Sequence, residues 1–164
     1  MRELDLKCPH RRPGDGVVMR IYLACTVRGD RGTVAAARHI NDKLVQLGHE
    51  VLTSHLLRDD VDELESHVTA AHVFARDVEW LESADVVVAE ASGSSFGVGF
   101  EVGYILGRAA QSGQRAYVLY HAGRQGAISR MISGLSHKHA QALAYHTLAD
   151  IDVFLDAHLA PTRR

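Results

Sequence analysis

The sequence predicts a single-domain α/β protein, with helices on both faces of a doubly wound, mostly parallel sheet of five strands. Short apolar runs alternate with helix-length amphipathic segments, which is the pattern of parallel strands joined by helical crossovers. The run Asp85–Ala91 is rich in β-branched residues, as expected for a strand covered on both faces. With 164 residues, the chain is long enough to bury a core within one domain.

The first half of the chain predicts two strands, each followed by a helical segment. Val17–Ala24 is almost entirely apolar and predicts the first strand. Apolar residues recur every three or four positions in Arg31–Leu47, which predicts a helix that stops at Gly48. Glu50–Ser54 predicts a short second strand, and Asp59–Ser83 predicts a helical segment with a break near its middle.

The second half repeats the alternation, beginning with the strand at Asp85–Ala91. The elements that follow are a helix at Gly97–Gln111, a strand at Ala116–Tyr120, a short helix at Ala127–Ser133, a strand at Ala142–His146 and a helix at Leu148–Leu159. This order predicts a flavodoxin-like or Rossmann-like sheet. Ligands of such sheets bind beyond the carboxyl ends of the strands, so the loops that follow the strands are where a site is expected.

Composition argues against several classes of protein. The net charge is −2 with acids and bases interspersed, which disfavours binding to nucleic-acid polymers. No apolar run approaches the roughly 20 residues of a membrane helix. Residues 1–16 are polar and predict a flexible leader before a domain at 17–164. Cys8 and Cys25 form no CxxC pair, which predicts a cytoplasmic protein.

The chain has 11 histidines, but their spacing does not predict a metal site. His67 and His72 are five positions apart, and His137 and His139 alternate with a lysine. Neither pair comes with a third ligand at a spacing common for zinc. We therefore expect no metal.

The segment from Ser92 to Glu101, with the sequence SGSSFGVGFE, follows the third predicted strand and opens a helix. Free amides at the start of a helix favour an anion, and glycines allow it to approach closely. The segment lacks the Gly-Lys-Ser/Thr ending of a Walker loop and is not a GxGxxG fingerprint. It is either a phosphate cradle or a turn whose glycines permit tight packing.

Two acids lie on otherwise apolar helix faces. Glu101 is followed by a nearly apolar helical stretch, and Asp77 shares a face with Leu81 and Ala84 at helical spacing. Burying a carboxylate is costly unless a partner or a function supports it. The simpler readings are an acid in the first turn of a helix for Glu101 and an acid paired with a nearby base for Asp77.

The first strand and its loop contribute three further candidates. Tyr22 lies in the strand, and Thr26 and Arg28 lie in the loop at its carboxyl end. All three could contact a ligand at the expected edge of the sheet. The simpler readings are core packing for Tyr22 and an ordinary place in a loop for Thr26 and Arg28.

Several segments, taken in order, resemble the nucleoside 2-deoxyribosyltransferase superfamily, and most closely its 2′-deoxynucleoside 5′-monophosphate N-hydrolases. The matching residues are Ile21–Leu23, Val27–Gly29, Val51–Thr53, His55, Asp77, Glu79–Leu81, Ala84–Glu90, Ser95, Gly97–Gly99, Glu101, Gly103, Ser129, Met131, Ile132 and Gly134. Each motif alone is weak, but the ordered set is specific.

The resemblance implies a role for each matching position. It implies that Glu101 is the nucleophile, that Asp77 assists departure of the base and that Tyr22 lies close to the sugar. The positions that it implies for binding the phosphate or the rest of the nucleotide are Ser95, Gly97, Gly99, Ser129, Met131, Arg28 and His55. Thr26 departs from the family's pattern and is a candidate contact because of its place in the first loop. Ser129 would come from the neighbouring subunit of a homodimer. The family needs no metal or organic cofactor.

These roles predict hydrolysis of a (2′-deoxy)nucleoside 5′-monophosphate to free base and (deoxy)ribose 5-phosphate, through a covalent glycosyl ester on Glu101. Three alternatives remain at this point. They are a nucleoside 2-deoxyribosyltransferase that exchanges bases, a ribonucleotide N-glycosidase acting on cytidine monophosphate or a similar substrate, and a non-catalytic nucleotide-binding protein.

Overall fold

The computed structural model describes residues 18–27 and 31–161. The strands are β1 (Arg20–Ala24), β2 (Glu50–Val51), β3 (Val86–Glu90), β4 (Arg115–His121) and β5 (Ala140–Tyr145). The helices are α1 (Val34–Gln46), α2 (Val61–Glu65), α3 (Ala70–Ser83), α4 (Phe96–Ser112), α5 (Arg130–Ser133) and α6 (Leu148–Leu159). The predicted leader at residues 1–16 and the loop residue Arg28 lie outside the described residues.

The five strands form one sheet in the order β2-β1-β3-β4-β5, and every neighbouring pair is parallel. Side chains alternate between the two faces of the sheet and form two cores. One core packs Ile21 and Val88 against α1 and α6, and the other packs Tyr22 and Val87 toward α3 and α4. The predicted α/β class is confirmed. Because all carboxyl ends lie at one edge, the loops after β1 and β3 converge there.

Two predicted elements are shorter than expected because side chains make tertiary hydrogen bonds. The second strand ends at Val51 instead of Ser54, since the Thr53 hydroxyl bonds both the amide (3.1 Å) and the carbonyl (2.7 Å) of Leu23. The first helix begins at Val34 rather than Arg31, because the Thr33 hydroxyl donates to Glu90 instead of capping the helix.

The predicted break within Asp59–Ser83 is present as the gap between α2 and α3. α3 is fastened at its carboxyl end by Gln114, whose Nε2 donates to the carbonyls of Leu81 (2.8 Å) and Ala84 (2.7 Å). Gln114 is fully buried and immediately precedes β4, so this anchor lies at the amino end of the sheet. Carbonyls at a helix end need partners, and here one side chain provides them.

Helix α4 has strong signals at both ends. The Ser95 hydroxyl accepts from the amide of Val98, and Gly113 ends the helix in the left-handed conformation at φ 77°. The helix thus starts at the carboxyl edge of the sheet, directly after β3. Among the described residues, no helix is both long and apolar enough to cross a membrane.

Candidate active site

A hydrogen bond between Tyr22 and Glu101 lies at the centre of the site. The Tyr22 hydroxyl donates to Oε1 of Glu101 at 2.6 Å. Tyr22 is fully buried within β1, and Glu101 lies in the second turn of α4. The alternation of side chains along β1 directs Tyr22 toward the face that α4 covers. The buried tyrosine therefore belongs to the core and also contacts the carboxylate.

Burial perturbs both partners of this bond. It raises the pKa of Glu101 to about 7, with the negative charge of Asp77 adding to the rise and the Tyr22 hydrogen bond opposing it. Burial, together with the charge of Glu101, raises the pKa of Tyr22, so its hydroxyl stays protonated and donates. A carboxyl group that titrates near neutrality in a cavity is typical of a catalytic group.

Asp77 and Glu101 line the same cavity, which has a volume of about 470 Å³. The two acids come from different helices, α3 and α4, that pack side by side on one face of the sheet. This volume lies within the range of small-molecule sites. Most of the wall is apolar, including Leu56, Val73 and Phe100. Two carboxyl groups thus face one enclosed volume large enough for a small ligand.

A second cluster of charged side chains adjoins Asp77. Arg76 donates from Nε to Oδ1 of Asp77 at 2.9 Å and from Nη1 and Nη2 to the two carboxylate oxygens of Glu65 at 2.9 and 3.3 Å. Its guanidinium lies over the Trp80 ring at 4.8 Å, and Nε2 of His55 lies 3.5 Å from Glu65. Burial and the nearby Arg76 lower the pKa of His55, which favours its neutral form.

Sequence reasoning missed Glu65 and Arg76. The sequence contained one indication of Arg76, namely that a base stands next to the acid Asp77, and this suggested only an ordinary ion pair. That pair does form, and both of its members also line the cavity. The contribution of Glu65 depends on how α2 packs against α3, which the sequence does not reveal.

Glu90 organises the turn that follows β3, and sequence reasoning gave it no role. Its carboxylate is buried and accepts from the hydroxyls of Thr33 (2.7 Å) and Tyr145 (3.0 Å) and from the hydroxyl of Ser92. The Ser92 hydroxyl in turn accepts from the amide of His121 at 2.8 Å. The buried carboxylate thus fixes the start of the Ser/Gly-rich turn to three neighbouring segments, directly through Thr33 and Tyr145 and through Ser92 to His121.

The candidate phosphate cradle divides between two cavities. Ser95 and Gly97 line the cavity that holds Glu101. Ser95 also borders a second cavity of about 460 Å³, together with Gly99, Ser129 and Met131. Within one chain, then, Ser129 and Glu101 do not line the same cavity.

Two other residues predicted to contact the nucleotide, Thr26 and His55, do not line the cavity that holds Glu101. Thr26 is buried, lines neither cavity, and its hydroxyl has no hydrogen-bond partner within residues 18–27 and 31–161. His55 contacts Glu65 and the edge of Trp80 rather than the cavity itself. Burial raises the pKa of the Cys25 thiol to about 12, so this cysteine stays protonated and is unsuited to act as a nucleophile.

Within the described part of the chain, no group of three or more His, Cys, Asp or Glu side chains is arranged to hold a metal ion. The cavity is lined by three carboxyl groups, those of Glu65, Asp77 and Glu101, and by the guanidinium of Arg76, and the Tyr22 hydroxyl bonds one of the acids. An acid that titrates near 7 beside a second carboxylate suits reactions in which one group attacks and another transfers a proton.

Comparison with known proteins identifies the family. The model of the nucleoside 2-deoxyribosyltransferase family matches residues 21–141, which include Tyr22, Asp77 and Glu101. The chain belongs to this family. The match runs from β1 into β5 and so includes the whole sheet edge that carries the cavity. The family resemblance inferred from the sequence is confirmed.

Individual relatives share much of the chain. A protein of Thermofilum pendens, provisionally named a 2′-deoxynucleoside 5′-phosphate N-hydrolase, is 38% identical over 86% of this chain and 95% of its own length. The 5-hydroxymethyl-dUMP N-hydrolase of Danio rerio is 38% identical over 73% of this chain and 81% of its own. The rat protein of the same name is 29% identical over 88% and 87%, respectively.

Proposed function

We propose that the protein hydrolyses the N-glycosidic bond of a 2′-deoxynucleoside 5′-monophosphate, releasing the free base and deoxyribose 5-phosphate. The observation that carries this proposal is the buried Glu101, held by Tyr22 and facing a cavity that it shares with Asp77. The names of the relatives, which are N-hydrolases of deoxynucleoside phosphates, support the class of substrate.

In the proposed reaction, a carboxylate oxygen of Glu101 attacks the anomeric carbon while the bond from that carbon to the base nitrogen breaks. Asp77 gives a proton to the departing base, so the base leaves as a neutral molecule. Water then attacks the glycosyl ester and gives one proton to the Asp77 carboxylate, which returns Glu101 as a carboxylate and leaves the sugar with a hydroxyl group. This division of work between two carboxyl groups parallels that of retaining glycosidases.

The raised pKa of Glu101 supplies a source for the proton. Near neutrality, burial keeps a proton on Glu101 in a substantial fraction of free molecules. The reaction needs Glu101 ionised and Asp77 protonated. Both needs are met if binding of the nucleotide moves that one proton from Glu101 to Asp77, across the cavity that both groups line.

The start of α4 offers a place for the 5′-phosphate. Ser95 and Gly97 line the cavity at the amino end of a 17-residue helix, where backbone amides and the helix dipole favour an anion. The phosphate would then lie a turn of helix away from Glu101. Binding energy from the phosphate would hold the anomeric carbon against the nucleophile, so nucleosides without phosphate should react poorly.

The test is a panel of deoxyribonucleoside and ribonucleoside 5′-monophosphates, with released base followed by chromatography. We expect hydrolysis of at least one deoxyribonucleotide and a loss of about 10²–10⁴-fold in kcat for both Glu101→Gln and Asp77→Asn. Glu79→Gln is the matched control, because Glu79 lies exposed on α3, two residues from Asp77.

Near-normal turnover by either acid variant would remove that residue from its proposed role. The same assay with a second free base present tests base exchange, the activity in the family's name. Formation of a new nucleoside or nucleotide would show that the acceptor is a base and not water alone.

We also propose that two copies pair so that Ser129 of one reaches the phosphate in the other. Phe96 and Met131 are 99% and 85% exposed beside Ser129 and the second cavity. Apolar side chains this exposed are typical of interaction surfaces. Since Ser129 shares no cavity with Glu101 of its own chain, a contact across a two-fold axis accounts for its role more readily.

A further inference from the structure

We propose that Arg76, held in place by Glu65, is a positioning residue that fixes Asp77 for proton transfer to the departing base. The inference rests on the proposed function, because it assigns a task to groups around the proposed acid. It is specific to this chain's own contacts, since it depends on a bridge between α2 and α3.

The three side chains form a connected and largely buried array. The exposed fractions of the side chains are 12% for Glu65, 18% for Arg76 and 21% for Asp77. Arg76 uses its terminal nitrogens for Glu65 and its Nε for Asp77, so its donors serve both acids at once. All three residues line the cavity that contains Glu101.

The planar guanidinium explains why an arginine suits this task. Its donors are fixed in one plane, so the paired contacts to Glu65 set the direction in which Nε points. The Trp80 ring, whose centre lies 4.8 Å from the guanidinium carbon, further restricts the orientation of the guanidinium plane. One oxygen of Asp77 is thereby held, while the other makes no hydrogen bond to the described residues and is available to the base.

Glu65 also balances charge. A lone cation beside Asp77 would favour the ionised form of the acid and oppose its taking up a proton. Glu65 shares the guanidinium, and the hydrogen bonds from Arg76 hold the pKa of Glu65 below its usual value. Glu65 therefore stays ionised and offsets the charge of Arg76. Arg76 can then orient Asp77 while it shares its positive charge with Glu65.

A purely structural role is the alternative, in which Arg76 only joins two helices. The leaving group distinguishes the two roles. A 4-nitrophenyl group departs as a stable anion and needs no proton, whereas a nucleobase needs one. If the acid is badly positioned, hydrolysis of the nucleotide should be slower, whereas hydrolysis of the 4-nitrophenyl substrate should be little affected. A general distortion of the cavity should slow both.

The experiment compares the best nucleotide found in the panel with 4-nitrophenyl 2-deoxyribose 5-phosphate. For Arg76→Gln we expect kcat with the nucleotide to fall about 10–100-fold, with KM changed less than about threefold, because the geometry of the reacting groups is disturbed and not the binding of the substrate. With the 4-nitrophenyl substrate we expect a loss under about threefold. Arg76→Lys keeps the positive charge but lacks the planar set of donor nitrogens, so it should recover only part of the rate.

Glu65→Gln should likewise lower kcat with the nucleotide more than kcat with the 4-nitrophenyl substrate. It serves as a second variant if Arg76→Gln does not fold. Arg108→Gln is the matched control, since Arg108 also pairs with an acid, Glu82, and lies over a ring, Tyr104, but lines neither cavity. It should leave both rates unchanged.

Equal losses with both leaving groups, unchanged kcat in Arg76→Gln, or full activity in Arg76→Lys would each overturn the inference. Adding Arg76→Gln to Asp77→Asn should cause no further loss with the nucleotide, since both act on one step. If Asp77→Asn alone shows no dependence on the leaving group, it is the role of Asp77 in the proposed function that fails.

Discussion

At the scale of single residues, the hydroxyl of Tyr22 reaches from the core to the carboxylate of Glu101. Burial raises the pKa of this carboxyl group to about 7, and the hydrogen bond from Tyr22 opposes the rise. A carboxylate is the form that attacks carbon. The hydrogen bond from Tyr22 thus favours the ionised form, which in the proposed reaction Glu101 takes once its proton has moved to Asp77.

Replacing Tyr22 by phenylalanine should shift the pH dependence of the reaction. Without the donor, the pKa of Glu101 rises above about 7. The free protein then keeps the proton that Asp77 needs up to a higher pH, so the fall of kcat/KM as the solution is made alkaline should begin at a higher pH. A hydrogen bond to a charged group contributes about 1.5–3 kcal/mol, which corresponds to a shift of at least about one pH unit. The measurement is kcat/KM for the best nucleotide between pH 5 and pH 9.

Tyr104→Phe is the control for this experiment. Tyr104 is also a tyrosine that donates to a glutamate, Glu82, but it lies outside the cavity. Removing the Tyr104 hydroxyl should leave the pH dependence of kcat/KM unchanged. A Tyr22→Phe profile that coincides with that of the unmodified protein would show that another group sets the alkaline limb.

Individual side chains also show what sequence can and cannot reveal. Asp77 and Glu101 were identifiable because a carboxylate on an apolar helix face stands out against the pattern around it. Glu65 was not, because its importance comes from an arginine eleven positions later and across a break between helices. Ser129 and Met131 stay predictions, since a second copy of the chain is needed to judge them.

At the scale of elements, the turn between β3 and α4 depends on one buried carboxylate. Glu90 accepts hydrogen bonds from Thr33, Ser92 and Tyr145, which lie on three separate segments. Ser94, two residues further on from Ser92, has a left-handed φ of 54°, which is uncommon outside glycine. The turn therefore holds its shape through tertiary hydrogen bonds rather than through local preference.

Removing this carboxylate should destabilise the fold. Glu90→Ala leaves three hydroxyl groups without their acceptor, those of the buried Ser92 and Tyr145 and of the partly buried Thr33, and we expect a loss of about 2–4 kcal/mol in the free energy of unfolding. Glu90→Gln keeps one acceptor oxygen and should lose less. Urea unfolding of each variant measures the difference. Glu79→Ala, an exposed change on α3, is the control and should stay within about 0.5 kcal/mol.

If Glu90→Ala were as stable as the control, the hydrogen bonds to Glu90 would not be what holds the turn. The same kind of tertiary bond explains where element boundaries departed from the sequence pattern. Thr53 and Thr33 each direct a hydroxyl away from its own element, toward Leu23 and Glu90. Apolar periodicity locates the middle of an element, but such side-chain bonds decide its ends.

At the scale of the whole molecule, α4 separates two cavities of similar volume, about 470 and 460 Å³. The first holds Glu101 and Asp77, and the second holds Ser129. The parallel α/β class was predictable because alternation of apolar runs and amphipathic segments reflects the layers of the fold. The division into two cavities was not predictable, because it depends on how α5 packs beside α4.

Mixing two inactive variants tests the proposed pairing of chains. Glu101→Gln removes the proposed nucleophile, and Ser129→Ala should weaken phosphate binding about tenfold or more, since a hydrogen bond to a charged group is lost. In a mixed dimer, the intact Glu101 of one chain meets the intact Ser129 of the other. At low substrate, an equal mixture should recover about one quarter of normal activity, because one site is intact in about half of the dimers.

The control is a mixture of Glu101→Gln with Asp77→Asn. These two residues line one cavity of one chain, so no combination of chains restores a complete site. Absence of recovery with Ser129→Ala, in chains shown to exchange, would place Ser129 with its own chain's site or with no site at all.

The anchor at Gln114 has a consequence for how this enzyme tolerates change. Asp77 lies on α3, and the last turn of α3 is tied to the opposite end of the sheet by the buried side-chain amide of Gln114, which lines neither cavity. The proposed proton transfer from Asp77 therefore also depends on hydrogen bonds made at the amino end of the sheet. Surveys of inactivating substitutions that look only at cavity walls would overlook it.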